Sequence, residues 1–157
     1  MKIEAIFIGK TTPSYLNAGI ELYRQRIIHY LPFEIKVLPD LKKGSVQSAI
    51  QIKEKESAQI LSAVTGAGYF ILLDEKGRQY DSTGFANCLQ GISNRGIKKM
   101  AIVTGGAFGV DDRVKSAANQ IISFSMLTFS HQLIRLILME QVYRAMTILR
   151  NEKYHHA

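Results

Sequence analysis

The sequence predicts an α/β fold, a mainly parallel sheet flanked by helices. Three observations carry this. Short apolar runs alternate with segments of helical period along the whole 157-residue chain, the order of strand and helix in a layered α/β protein. The apolar runs are continuous, YFILL at Tyr69–Leu73 being the plainest, which is the composition of strands buried on both faces. No repeat, low-complexity segment or long linker interrupts the chain, so a single domain over residues 1–157 is expected.

The elements follow in order. Ile3–Ile8 reads as a strand that stops at Gly9. Over Tyr15–Tyr30, Leu16, Ile20, Tyr23, Ile27 and Tyr30 recur every three or four residues, the spacing of one helix face. Pro32 ends that run. Phe33–Leu38 reads as a short strand closed by Pro39. A second helix is expected from Ser45 to about Val64, with Lys53-Glu54-Lys55-Glu56 as a solvated face. Strand Tyr69–Leu73, helix Thr83–Ser93 and strand Met100–Val103 come next. Asp111–Ala118 reads as a short helix with Asp111 near its N-terminal end, where a carboxylate meets exposed amides. Ile121–Ser125 is the expected last strand and His131–Arg150 a long last helix.

That last helix is apolar nearly all round. At about 100° per residue, Glu140, Gln141, Arg144 and Thr147 collect on one side, with Leu133, Ile137 and Ile148 intruding. A helix of this kind is buried on more than one side. Packing on a small sheet uses one side, so the rest is expected to meet a second copy in a homodimer, with Leu138 and Val142 in the contact. His131 and Arg135 share the opposite, apolar side one turn apart, either as core and cap residues or as functional ones.

Composition narrows the partners. Lys and Arg number 20 against 13 Asp and Glu, a net charge of +7 and a pI near 9.6. Such an excess suits a polyanion, most often a nucleic acid, with plain solubility as the bland alternative. The basic residues are dispersed, Lys42-Lys43 and Lys98-Lys99 being the adjacent pairs. Cys88 is the one cysteine, which excludes an intrachain disulfide and a Cys-rich metal centre and fits a reducing compartment such as the cytoplasm. The start, MKIEAIFIGK, is too short and, at Glu4, too acidic for a signal peptide. No apolar run approaches the ~18 residues of a membrane span.

Candidate chemistry gathers around IVTGGAFGV, Ile102–Val110. A strand running into Gly105-Gly106, with Gly109 beyond, implies a loop that lets something approach the backbone. A dinucleotide site wants GxGxxG in the first strand-to-helix turn, and a P-loop ends in GK[ST]; neither pattern is present. A tight turn of purely structural use remains open. In a parallel sheet, however, ligands bind outside the carboxyl ends of the strands, and three strands here end unusually: LLDEKG after Tyr69–Leu73, TGGAFG after Met100–Val103, and SFSMLTF from Ser123. Together they would form an apolar slot lined by main-chain groups, better suited to a flat heterocycle than to a phosphate. No nucleophile with its base, metal cluster or acid pair stands among them. Group transfer from an activated cofactor, with proximity supplying up to ~7–11 kcal/mol, fits that inventory.

LLDEKG, IVTGGAFGV, the long block ISFSMLTFSHQLIRLILMEQVYRAMTILRNEKYHH and the chain length together resemble the ribosomal RNA large subunit methyltransferase H family, of the SPOUT superfamily. The resemblance spans nearly the whole chain and is strongest from Gly105 to His156. It implies an α/β sheet whose C-terminal part is tied in a trefoil knot, a rarity on general grounds. It implies a homodimer that uses S-adenosylmethionine to methylate N3 of a pseudouridine in the helix 69 loop of 23S rRNA on assembled ribosomes, without a metal. Carried over by position, Leu73, Gly105, Phe124, Ser125, Met126, Leu127, Thr128 and Phe129 would hold the cofactor. His131, Arg135, Tyr154 and His155 would serve the substrate side, Arg135 on phosphate or base and Tyr154 stacking on an unpaired base for ~1–3 kcal/mol. Ser130 departs from the family pattern, where proline precedes the histidine. The competing reading is a non-catalytic basic protein that binds ribosomal RNA; a nucleotide-dependent oxidoreductase lacks its fingerprint.

Overall fold

Strand and helix alternate through the computed structural model, which describes residues 1–41 and 48–156. The strands are β1 (Lys2–Ile8), β2 (Phe33–Leu38), β3 (Tyr69–Gln79), β4 (Lys99–Thr104) and β5 (Gln120–Ser123). The helices are α1 (Ser14–Ile27), α2 (Ala49–Val64), α3 (Ser82–Asn94), α4 (Asp112–Ala117) and α5 (Leu133–Leu149). The strands form one sheet in the order β2-β1-β4-β3-β5, every pairing parallel.

The continuous apolar runs feed two cores at once. On one face Ile3, Ala5 and Phe7 of β1 pack with Ile20 of α1, Leu89 of α3 and Val142 of α5. On the other, Ile6 and Ile8 pack with Ile60 of α2 and Val114 of α4. Successive side chains of a strand point to opposite faces, so a strand covered on both must be apolar at every position. Each large aliphatic residue so buried contributes about 1.5–3 kcal/mol.

Local signals set most of the boundaries. Ser48 caps α2 with a reciprocal pair: its Oγ accepts the Gln51 amide at 3.2 Å, and Gln51 Oε1 accepts the Ser48 amide at 2.9 Å. This is the capping box. The expected start at Ser45, and the pair Lys42-Lys43, lie outside the described residues. Asp111 Oδ1 caps α4 by accepting the amides of Arg113 and Val114 at 3.0 and 3.3 Å.

Four expectations need correction. β3 does not stop at Leu73; it leaves the β5 ladder there and rejoins it at Arg78. Gly77 makes this bulge feasible, since a Cβ there would lie 2.5 Å from the Ile122 carbonyl carbon. Glu56 is not on a solvated face but 3% exposed, because α2 also turns Ile52, Ser57 and Ile60 to the sheet. Thr147 is buried, its hydroxyl donating to the Arg144 carbonyl at 2.7 Å. Leu138 and Val142 are wholly buried in the chain's own core, because α5 packs between α1 and α3 and spends that side within the chain.

Candidate active site

The carboxyl ends of β3, β4 and β5 open onto one cavity of about 380 Å³, within the usual range for small-molecule sites. Its walls come from the bulge after Leu73, the glycine turn after Thr104 and the chain from Ser123 to Phe129. Each wall has a local cause. The glycine turn closes on itself where the Gly109 amide donates to the Gly106 carbonyl at 3.0 Å, and Gly109 takes φ 73°, which glycine adopts without a steric penalty. The third wall is held by serines: Ser123 Oγ donates to the Ser125 carbonyl at 2.7 Å, and Ser125 Oγ accepts the Leu127 amide at 2.9 Å. Phe124 is set edge-on to Phe85, with centroids 5.4 Å apart and planes at 85°. Thr128 Oγ1 donates to Glu75 Oε2 at 2.7 Å, clasping the third wall to the first.

Polar groups face this space sparingly. Thr104 Oγ1 is buried without a hydrogen-bond partner among the described residues, and its residue lines the cavity. A buried hydroxyl left unmatched is costly, so a ligand atom there would be stabilising. Asp74 and Glu75 give one edge a negative character that suits a cation, and Lys115 lies 3.6 Å from Asp74.

The expected cofactor residues largely assemble. Leu73, Gly105, Phe124, Ser125, Leu127, Thr128 and Phe129 all line the cavity. Met126 does not; its side chain is 86% exposed at the loop tip.

The expected substrate residues separate. His131 lines the cavity. Burial, then the Arg135 guanidinium, hold its imidazole below the usual histidine range against an opposing pull from Asp40, so the ring is neutral near pH 7 and able to accept a proton.

Arg135 lies beneath the site with 0% exposure. Its Nε donates to the His131 carbonyl at 3.0 Å, Nη1 to the Gly9 carbonyl and Thr11 Oγ1, each at 2.9 Å, and Nη2 to the Ile8 carbonyl. Burial pulls the guanidinium down to about 10, with Asp40 acting the other way, and it remains charged at neutral pH. Direct contact with phosphate or base does not fit this placement. Arg135 pins the start of α5 to the end of β1.

Tyr154 rests on the α1–α5 side, edge-on to Tyr143 at 4.7 Å and donating to Glu140 Oε1 at 3.1 Å. Burial, then the Tyr23 hydroxyl, push its phenol above the usual range, which keeps it protonated. His155 Nδ1 stands 3.4 Å from Arg144 Nη1, and its residue lines a separate cavity with Tyr80, Phe124 and Gln141. Within one chain, then, the tail residues stand apart from the main cavity.

Sequence reasoning missed Asp74, Glu75, Thr104 and Ile134 as lining residues. The first two stood inside the LLDEKG motif and the third headed TGGAFG. Ile134 gave no signal, because its place depends on how α5 returns under the site. Among the described residues no group of three His, Cys, Asp or Glu side chains is placed to hold a metal, and no helix is long and apolar enough to cross a membrane.

The chain matches one family along nearly its whole length. The family model described as "Predicted SPOUT methyltransferase" matches residues 1–155. A ribosomal RNA large subunit methyltransferase H from Parabacteroides distasonis is 47% identical over 156 residues, covering 99% of each chain. One from Christiangramia forsetii is 44% identical over the same length and coverage. Among solved structures, a probable methyltransferase from Bordetella pertussis superposes with a TM-score of 0.57 at 12% identity, over 92% of this chain and 95% of that one. A probable methylase family protein from Haemophilus influenzae gives 0.55 at 12% identity, over 99% and 70%. At that identity the two structures establish likeness of fold.

Proposed function

Because the chain belongs to the SPOUT methyltransferase family, with ribosomal RNA large subunit methyltransferase H proteins among its relatives, we propose that it methylates N3 of a pseudouridine in the helix 69 loop of 23S rRNA, on the assembled ribosome, with S-adenosylmethionine as donor. The observation that carries this reading is the cavity at the ends of β3, β4 and β5, into which seven of the eight residues expected to hold the donor converge. Its properties suit such a ligand. Main-chain groups and Phe124 make a slot for a flat heterocycle, Asp74 and Glu75 an acidic edge partly matched by Lys115 and Thr128, and Thr104 Oγ1 a buried hydroxyl without a partner among the described residues.

S-adenosylmethionine supplies an activated methyl group on a sulfonium, so the protein's own part is to bind, orient and exclude water. The serine-held loop and the Thr128–Glu75 clasp fix the walls before a ligand arrives, which lowers the cost of binding. The N3 proton must leave the base, and His131 at the cavity edge, His155 of the tail or solvent would accept it. Tyr154, with its phenol held protonated, is suited to stacking or donating.

The same reading includes a homodimer and a trefoil knot. Partly exposed apolar residues, Leu22 on α1, Ile28 just after it and Leu133 on α5, support a second copy. A tail that reached a partner's cavity would bring Tyr154 and His155 to the site they do not reach in their own chain. In support of the knot, the chain leaving edge strand β5 turns back to the end of β1, two strands beyond β3, where Arg135 fastens it to Ile8 and Gly9.

Nucleoside mass spectrometry of 23S rRNA from a strain lacking this gene tests the proposal. Loss of N3-methylpseudouridine, restored by the purified protein with S-adenosylmethionine acting on the ribosomes, is the expected outcome. Unchanged modification, with ribosomal RNA binding intact, would favour the non-catalytic reading.

A further inference from the structure

Glu56 is a buried carboxyl that the chemistry above does not use. It sits on α2, on the sheet face opposite α5. Oε1 accepts the Leu41 amide at 3.2 Å, and Oε2 has no hydrogen-bond partner among the described residues. A Cβ built on Gly106 would collide with that Oε2. So at Gly106 what approaches the backbone is another part of the chain, and a side chain at the second glycine of the GG pair would have to displace the buried Glu56 carboxyl. The carboxyl also borders a cavity of about 60 Å³ whose lining includes Lys10, Asp40, Gly106, Ala107 and His131. Gly106, Ala107 and His131 line the main cavity as well.

We propose that Glu56 is a positioning residue for methyl transfer: by packing its carboxyl against Gly106 it sets the placement of the glycine turn, and through that turn the affinity for the methyl donor. This rests on the cavity's assignment to S-adenosylmethionine. The alternative, a passive buried acid, has no reason to be matched to a glycine across two elements at the rim of a ligand cavity.

Protonation enters as a consequence. Burial raises the Glu56 carboxyl above the usual range and the nearby Asp40 adds to that, while the Leu41 amide acts the other way. Among the described residues, the charged groups around it are Asp40 after β2 and Lys10 after β1, with His131 before α5 lining the same small cavity. The neutral carboxyl sits beside Gly106 and Asp40 without repulsion. Ionisation places a second negative charge beside Asp40, with no hydrogen-bond partner for Oε2 among the described residues, so affinity for the donor falls as pH rises through the raised pKa.

Titration calorimetry with S-adenosylmethionine tests this on the wild-type chain and on Glu56→Gln and Glu56→Ala, each checked for folding by circular dichroism. Glu56→Ala should bind at least about tenfold more weakly, since small misplacements in a site are costly. Glu56→Gln should match wild type within about twofold at the acid end of a pH series, where the wild-type carboxyl is neutral, and lose the decline in affinity that wild type shows as pH rises. Equal affinity in Glu56→Ala, or equal loss in Glu56→Gln and Glu56→Ala, would overturn the proposal. A cofactor-free readout separates this from failure of the donor assignment. Gly106→Ala should lower the melting temperature of the wild-type chain and much less that of Glu56→Ala, where the obstructing carboxyl is gone. Additive effects would overturn the packing claim even if the donor binds. A wild-type chain that shows this coupling yet binds no S-adenosylmethionine would refute the donor assignment and the effect on affinity while keeping the packing.

Discussion

Replacing Arg135 by leucine separates a structural anchor from a substrate contact. The guanidinium is fully buried and donates to the carbonyls of Ile8, Gly9 and His131 and to Thr11 Oγ1. Leucine leaves those three carbonyls without this donor, at about 1–3 kcal/mol for each buried acceptor. Relief of the desolvated charge works the other way, since a buried charge carries a cost of its own. The balance is a destabilisation of about 3–5 kcal/mol, a large share of the ~5–15 kcal/mol that holds a typical domain together. At ~2–4 °C per kcal/mol for a chain of this size, the melting temperature should fall by about 6–20 °C. Arg135→Lys keeps the charge but not the fork of donors, and should fall in between. Thermal denaturation followed by circular dichroism reads the effect, with donor affinity measured on whatever folded fraction remains. If Arg135→Leu melts within about 2 °C of wild type and loses methylation alone, Arg135 is a substrate contact and the reasoning here is refuted.

Three further outcomes are expected. Gly105→Val places a Cβ 3.2 Å from Val110 Cγ1 and branches into the cavity; donor affinity by calorimetry should drop by about 100-fold or more, given ~1–3 kcal/mol for overpacking plus lost volume, and unchanged affinity would remove Gly105 from the site. Deleting residues 154–157 should spare donor affinity and abolish methylation of ribosomes, since Tyr154 and His155 stand away from the cavity of their own chain; full activity would clear the tail of any role. His131 has a depressed pKa in the folded chain, so the unfolded chain binds more protons between that value and about 6.5, and stability is lost as pH falls through this window. His131→Gln should flatten that slope in denaturant titrations at stepped pH.

The fold was legible because both of its codes are local. Continuous apolar strands and helical spacing place all ten elements of the described residues, and Gly9, Pro39 and Asp111 mark boundaries. The strand-end loops point to the cavity, but the eight proposed donor residues are named through the family resemblance, and seven of them line it. What could not be read depends on packing between distant segments. Glu56 sits in an alternating charge run that looks solvated, and its burial follows from α2 crossing the end of β1 beside Gly106. Arg135 looks like an RNA contact in a basic chain, and only the return of α5 to β1 turns its donors inward. An apolar helix set against a sheet alone leaves Leu138 and Val142 for a subunit contact, whereas α1 and α3 on either side of α5 bury them within the chain. In β3, nothing in DEKG announces a bulge that resumes pairing at Arg78.

A co-crystal with S-adenosylmethionine or its demethylated product tests the central claim most directly. Density for the adenine between Leu73, Gly105 and Phe124, with a polar ligand atom within hydrogen-bonding reach of Thr104 Oγ1, is the expected result. Ligand density elsewhere on the protein, with those walls closed on one another, would contradict it.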